Sequence, residues 1–197
     1  MRHLSKPLIL FLMLVLGACY LPSEFKAEVR IARDGQFQIT YIGDLADSDL
    51  ISGRTDPDEI EEKIALRQRD LARDSGFTQI RYKGEGYFEV TYDKRGNIFR
   101  QRTITFVNSG SKIVTIALVA RDKKITIRGG SIPANFHDQL RATGYDLRGQ
   151  FTVVTDANVT DHNAQSVTGE ETRTYSWTLA GLEAVAPKLV IDTGSAE

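Results

Sequence analysis

Apolar and polar residues alternate along much of this 197-residue chain, which is the pattern of β-strands with one buried face. Two such segments, 25–31 and 37–41, flank Arg33-Asp34-Gly35, and an Asp-Gly pair between alternating segments is a strong hairpin signal. Further strands are predicted at 77–82, 87–92, 98–106, 113–120, 124–128, 146–155, 172–179 and 189–191. Because 113–120 is apolar on both faces, it is predicted to lie in the core and to be covered on both sides, either by a helix layer and a second sheet surface or by a bound apolar ligand.

Two segments are predicted to form helices. The first follows Asp56-Pro57-Asp58-Glu59, which supplies an N-cap, a proline at the first helical position and a capping-box glutamate, and Ser75-Gly76 ends it. The second is predicted over 133–143, and the polar stretch 44–56 is predicted to be a loop. Strands from both ends of the chain around two helices, without a repeating βαβ rhythm, predict an α+β fold.

The predicted architecture is a twisted antiparallel sheet meander with two helices packed on it. It forms a single domain over residues 24–192, since the chain beyond the N-terminal segment is long enough to bury one real core. Residues 193–197 are predicted to be a flexible tail.

The N-terminal segment has a different pattern. Basic residues precede an apolar stretch, 8–16, which is too short to cross a bilayer, because a helical span takes about 20 apolar residues. The run Leu16-Gly17-Ala18-Cys19 follows, with small residues before the single cysteine of the chain, and has the form of a lipobox. This N-terminus resembles that of bacterial lipoproteins. The alternative is an ordinary cleaved signal peptide in which the cysteine merely lies nearby.

The resemblance to lipoproteins implies removal of residues 1–18 as a signal peptide and attachment of three acyl chains to Cys19. Residues 19–23 then form a lipidated tether that holds the folded body close to the membrane. The protein is accordingly predicted in the bacterial cell envelope, facing the periplasm. The outer membrane is preferred over the inner one because Tyr20, and not an aspartate, follows the cysteine.

Basic residues are concentrated in the middle of the chain, although its formal net charge is −1. The segment 94–128 contains nine Lys or Arg and a single acid. Such a segment could attract anionic lipid headgroups, and the alternative is that acidic flanks neutralise it on the folded surface. Arg100 and Arg102 are predicted to point to the same face of one strand. The candidate headgroup-binding residues are Lys94, Arg95, Arg100, Arg102, Arg121, Lys123 and Lys124.

The residue counts exclude several chemistries. With one cysteine, which lipidation would consume, the folded body has no disulfide, thiolate metal site or cysteine nucleophile. After processing, only His137 and His162 remain as imidazoles, and no nucleophile turn is recognisable, so no catalytic residue, metal or cofactor is predicted. The polar cluster 156–163 could hold Ca²⁺, but it fails the spacing of an EF-hand and is predicted to be a turn.

The order of lipobox, early hairpin, capped helix, β-rich centre and late Tyr175-Ser176-Trp177 strand resembles the LppM-type envelope lipoproteins across residues 24–192. The resemblance implies an extracytoplasmic α+β domain that binds a lipid or glycolipid, and it transfers no functional residue. We therefore predict a non-enzymatic, lipid-anchored envelope lipoprotein that binds a lipid or other amphiphile close to the membrane. The alternative is an envelope assembly or scaffold lipoprotein that docks a protein partner. Export excludes nucleic acid as a partner.

Overall fold

The computed structural model describes residues 20–107 and 111–194, and strands make up most of this part of the chain. The strands are β1 (Tyr20–Ile31), β2 (Gln36–Asp47), β3 (Phe77–Gly84), β4 (Tyr87–Asn97), β5 (Thr103–Phe106), β6 (Val114–Val119), β7 (Lys124–Gly129), β8 (Arg148–Thr155), β9 (Asn158–His162), β10 (Ser166–Thr168), β11 (Arg173–Ala180) and β12 (Lys188–Asp192). The α-helices are α1 (Ser48–Ile51), α2 (Ile60–Ala72), α3 (Ile98–Gln101) and α4 (His137–Ala142). The predicted mixture of sheet and helices is confirmed.

The strands form two sheets, where the sequence predicted one. The larger has the strand order β10-β11-β8-β1-β2-β4-β3, and the smaller has the order β5-β6-β7-β12-β9. The predicted β1–β2 hairpin is confirmed, with Val29 opposite Ile39. The prediction of a fully antiparallel sheet is wrong, because β8 pairs with β1 in parallel and places Val153 beside Val29. The chain reaches β8 only after passing through the smaller sheet and α4, so it can run in the same direction as β1.

The chain enters the fold earlier than the sequence predicted. Residues 20–23 were expected to be part of a tether, but they belong to β1, and Tyr20 lies opposite Asp47 with only 1 % of its surface exposed. A register shift between Ser23 and Lys26 interrupts the alternation there, so the regular alternation in the sequence begins only at Phe25. The signal segment 1–18 and Cys19 lie outside the described residues.

Three further local predictions are corrected. The expected loop 44–56 contains the end of β2 and α1, because the Asp47 carboxylate accepts hydrogen bonds from two backbone N–H groups and caps that helix. The expected strand 98–106 contains α3 before β5, since Asn97 caps the helix in the same way. The expected turn 156–163 contains β9. By contrast, the predicted cap at Asp56 is confirmed, because its side chain accepts from the N–H of Asp58 and begins a 3-10 turn, Pro57–Glu59, that leads into α2. The predicted capping-box bond of Glu59 is not formed.

One hydrophobic core joins the two sheets. Phe106 of β5 contacts aromatic rings of the larger sheet, with centroid distances of 4.8 Å to Tyr41 and 4.5 Å to Tyr92. Ile116 of β6 and Ile127 of β7 are fully buried in the same core. Aromatic rings at these separations add to the free energy of burial. The two sheets therefore stabilise each other.

The strand registers define two ends of the body. At the N-terminal end, β1 begins at Tyr20, and β6 begins beside the last residue of β7, with Val114 opposite Gly129. At the far end lie the hairpin turn 32–35 and the β6–β7 turn 120–123. Helix α3 connects the far ends of both sheets: the Ile98 N–H donates to the Gly35 carbonyl, and the Arg102 carbonyl accepts from Leu118 of β6.

Candidate functional site

A cavity of about 810 Å³ lies at the N-terminal end of the body. Its walls come from the first residues of β1, the start of β6, the end of β7, the loop 130–133, α4 and the segments before β8 and after β11. The apolar side chains that line it are Tyr20, Leu21, Pro22, Phe25, Ile113, Val114, Ile132, Pro133, Phe136, Leu140, Leu147, Phe151, Leu179, Leu182, Ala184 and Pro187. A volume of this size falls within the range of small-molecule sites.

Strands and ring contacts support the apolar walls. Phe25 stacks on Tyr41 with ring centroids 5.3 Å apart, and Phe151 packs on Trp177 at 5.4 Å. The strand 113–120, predicted to be apolar on both faces, contributes Ile113 and Val114 to the cavity wall. Its other buried side chains belong to the core between the sheets. The prediction that this strand lies in the core is confirmed, but its predicted cover on both faces is not. Val114 and Ile116 are buried, whereas Thr115 and Ala117 on the opposite face are only half-buried and Val119 is exposed.

Cations surround the cavity. Arg54, Lys112 and Arg128 line it and are exposed to solvent, and none of the three forms an ion pair within residues 20–107 and 111–194. The acid that lines the cavity, Asp49, is already paired, with its Oδ2 at 2.9 Å from Lys63 Nζ. The rim thus carries unpaired positive charge beside apolar walls, an arrangement suited to the polar head of an anionic amphiphile.

A buried ion pair supports one wall of the cavity. Arg67 Nε of α2 donates to Asp47 Oδ2 at 2.7 Å, and both side chains are nearly inaccessible to solvent. The other carboxylate oxygen of Asp47 caps α1, whose residues Ser48 and Asp49 line the cavity. Burial raises the pKa of the nearby Tyr20 hydroxyl well above its usual value. The pair therefore fixes α1 and the first residue of β1 relative to α2.

The loop before α4 forms the mouth of the cavity. Phe136 lines the cavity, yet 48 % of its surface is exposed, and Pro133 beside it is exposed as well. A ring nitrogen of His137 lies 2.9 Å from the Ile132 carbonyl and can donate to it, which ties α4 to the loop. Phe136 therefore presents an apolar ring to solvent at the edge of an apolar cavity.

The seven cations proposed as headgroup ligands do not line this cavity. Lys94 Nζ lies 2.8 Å from Asp74 Oδ1, and Arg95 Nε lies 3.6 Å from Asp93 Oδ1. The prediction that two arginines share a strand face is wrong, because α3 contains Arg100 and Arg102 follows it. The remaining members lie in the β6–β7 turn and at the start of β7, at the far end of the body: Arg121, Lys123 and Lys124. Leu16, Gly17, Ala18 and Cys19 lie outside the described residues.

Sequence reasoning missed the three cavity cations as a group. Lys112 and Arg128 belong to the basic segment 94–128, and each adjoins a signal that was visible in the sequence. Lys112 precedes the apolar run 113–120, and Arg128 precedes Gly129-Gly130. Nothing in the sequence connected Arg54 with them, because it follows α1, far from them in the chain, and only the tertiary fold brings all three to one cavity.

The polar cluster 156–163 has a structural role. The Asn163 Oδ1 accepts hydrogen bonds from the Trp177 indole at 2.9 Å and from the Lys188 N–H at 2.8 Å. His162 is exposed, and its Nδ1 accepts from the Ala164 N–H. Within the described residues, no group of three or more His, Cys, Asp or Glu side chains is arranged to hold a metal ion.

Comparisons with known proteins give a structural likeness. No family model and no curated protein matches the chain. Among solved structures, the chain is similar to the folded domain of the Mycobacterium tuberculosis LppM protein, with 14 % identity and a TM-score of 0.47 over 85 % of this chain and 88 % of that one. No helix within the described residues is long and apolar enough to cross a membrane.

Proposed function

We propose that this protein is a lipid-anchored bacterial envelope lipoprotein that binds an amphiphile in the cavity at its N-terminal end. The anchor is the acylated Cys19 that the lipobox predicts. The observation that supports binding is the cavity itself, since about 810 Å³ of space with mainly apolar walls can hold a drug-sized apolar group. It lies beside cations that form no ion pair within the described part of the chain. In this proposal the protein binds and presents its ligand, and it catalyses no reaction.

The distribution of polar groups sets the orientation of the ligand. The apolar part would lie against Phe25, Leu147 and Phe151, where burial in contact with apolar walls is favourable. The polar head would lie at the rim beside Lys112 and Arg128, where solvent reaches it. A fatty acid or a phospholipid satisfies both conditions, and a fully polar ligand satisfies only the second.

Filling the cavity tests this proposal. Leu140 lines the cavity and is buried, so Leu140→Trp places a large ring in the ligand space. Val185, which is 74 % exposed and does not line the cavity, gives the matched control Val185→Trp. A dansyl-labelled fatty acid should bind the native protein and the control, with a rise in dansyl emission, and should bind the filled variant much more weakly. Circular dichroism confirms that both variants fold.

Equal binding by the native and filled proteins would contradict a cavity site. Mass spectrometry of lipid extracted from the purified protein identifies the natural ligand, and recovery of no amphiphile together with no dansyl binding would contradict the binding function. Recovery of one stoichiometric protein partner by crosslinking in cells would then favour the scaffold alternative. The anchor is tested separately, because Cys19→Ser should abolish labelling by a palmitate analogue and release the protein from membranes.

A further inference from the structure

We propose that the mouth of the cavity lies directly on the membrane surface, with Phe136 inserted at the headgroup level and the surrounding cations on anionic headgroups. The inference rests on the proposed anchor at Cys19 and deepens the proposed function, because an amphiphile could then pass between bilayer and cavity without crossing water. Two independent features of the N-terminal end lead to it. They are the fixed start of β1 and the composition of the rim.

The start of β1 leaves no spare chain between the anchor and the body. Tyr20 is buried, lies opposite Asp47 in the sheet and donates its N–H to the Ser111 Oγ at 2.7 Å. Tyr20 and Ser111 both line the cavity. Since consecutive Cα atoms are about 3.8 Å apart, the acylated residue is within one residue of the cavity wall. The acyl chains therefore bring this end of the body to the bilayer.

The rim has the chemistry of a membrane-contacting surface. Phe136 is exposed at the opening, and aromatic side chains in such positions insert at the boundary of headgroups and acyl chains. Arg54, Lys112 and Arg128 are exposed and have no ion-pair partner in the described part of the chain. Cations at the level of the headgroups attract the anionic lipids of a bilayer surface. Apolar and basic groups thus meet around one opening, beside the predicted anchor.

The far end of the body cannot contact the same bilayer in this orientation. Strand β1 has 12 residues and, at about 3.3 Å per residue, extends roughly 36 Å from the anchor to the hairpin turn. That separation is several Debye lengths, which are about 8 Å at physiological salt. The cations of the β6–β7 turn and the start of β7 would therefore lie too far from the headgroups to be attracted by them.

Single fluorescent probes test the orientation. The sequence contains no cysteine except Cys19, which acylation consumes, so an introduced cysteine can be labelled selectively in the lipidated protein. Phe136→Cys places an environment-sensitive nitrobenzoxadiazole label at the mouth, and Val119→Cys, at a partly exposed residue of the far end, is the matched control. In phosphatidylcholine–phosphatidylglycerol vesicles, the mouth probe should shift its emission to the blue and be quenched by headgroup spin-labelled lipid. The far-end probe should show neither change.

Charge variants provide the second readout. Replacing Arg54, Lys112 and Arg128 with alanine should remove the extra blue shift that phosphatidylglycerol causes at the mouth probe. The matched triple replacement of Arg121, Lys123 and Lys124 should leave that shift unchanged. Equal quenching of both probes, or loss of the shift only in the far-end triple variant, would overturn the orientation. Dansyl fatty-acid binding to the protein with native rim cations reports on the proposed function separately, since a cavity that binds its ligand can still face away from the bilayer.

Discussion

Removing the buried guanidinium of Arg67 should destabilise the protein by about 3 kcal/mol. Breaking a buried ion pair typically costs about 3–5 kcal/mol, because the remaining charge stays desolvated without a partner. The side chains of Arg67 and Asp47 are 9 % and 1 % exposed, so water cannot replace the lost contact without rearrangement. Two backbone N–H groups, from Asp49 and Leu50, still donate to the other carboxylate oxygen at 3.0 Å, which favours the lower end of the range.

The substitution Arg67→Met removes the charge and retains most of the apolar stem. Urea denaturation followed by circular dichroism measures the change in free energy of unfolding, and thermal melting should show a midpoint lowered by roughly 6–12 °C, at about 2–4 °C per kcal/mol for a domain of this size. The matched control is Arg73→Met, which breaks the exposed pair with Asp70 at the end of the same helix. That variant should change the free energy of unfolding by less than about 1 kcal/mol.

Two outcomes decide whether this reasoning is correct. If Arg67→Met lowers the free energy of unfolding by no more than Arg73→Met does, the charge on Asp47 is not held in a desolvated site and the reasoning fails. If the argument holds, adding Asp47→Asn to Arg67→Met should restore part of the lost stability, because the amide oxygen still caps α1 and no buried charge remains. The dansyl fatty-acid assay then shows whether a loosened α1 also weakens the cavity.

Two further predictions concern groups outside the cavity. Burial opposes ionisation of Asp74, but hydrogen bonds from Lys94 and from neighbouring groups outweigh it and lower the pKa of this carboxyl. A depressed folded-state pKa contributes stability above the unfolded-state value and loses it as the pH falls through the folded-state value, so Asp74→Asn should flatten the acid limb of a stability–pH curve. Asn163→Ala should lower the free energy of unfolding by about 1–3 kcal/mol, because the Trp177 indole and the Lys188 N–H lose their acceptor. Added Ca²⁺ should not change the melting temperature of the native protein. A rise would favour a calcium site in the polar cluster 156–163.

The sequence predicted best those elements whose signals are local. The β1–β2 hairpin followed from alternation around Asp34-Gly35, and the start of α2 followed from an Asp-Pro pair, because turn and cap chemistry act over a few residues. Strand direction was not accessible in this way, since alternation indicates which face is buried and not which neighbour a strand joins. The parallel pairing of β8 with β1 is the example. Strand β9 was missed because it lies at an edge of the smaller sheet and has few apolar residues.

The candidate site was less accessible for a related reason. A basic segment was visible from 94 to 128, but successive antiparallel strands reverse direction, so cations that are close in sequence reach opposite ends of the body. Lys112 precedes β6, whose Thr115 lies opposite Arg128, and these two cations therefore belong to the N-terminal end. Lys123 and Lys124 follow β6 and lie at the far end. The count of charges along the chain does not separate these two groups of cations, whereas the strand register does. Because the two groups lie at opposite ends of the body, replacing one group at a time tests which end faces the membrane.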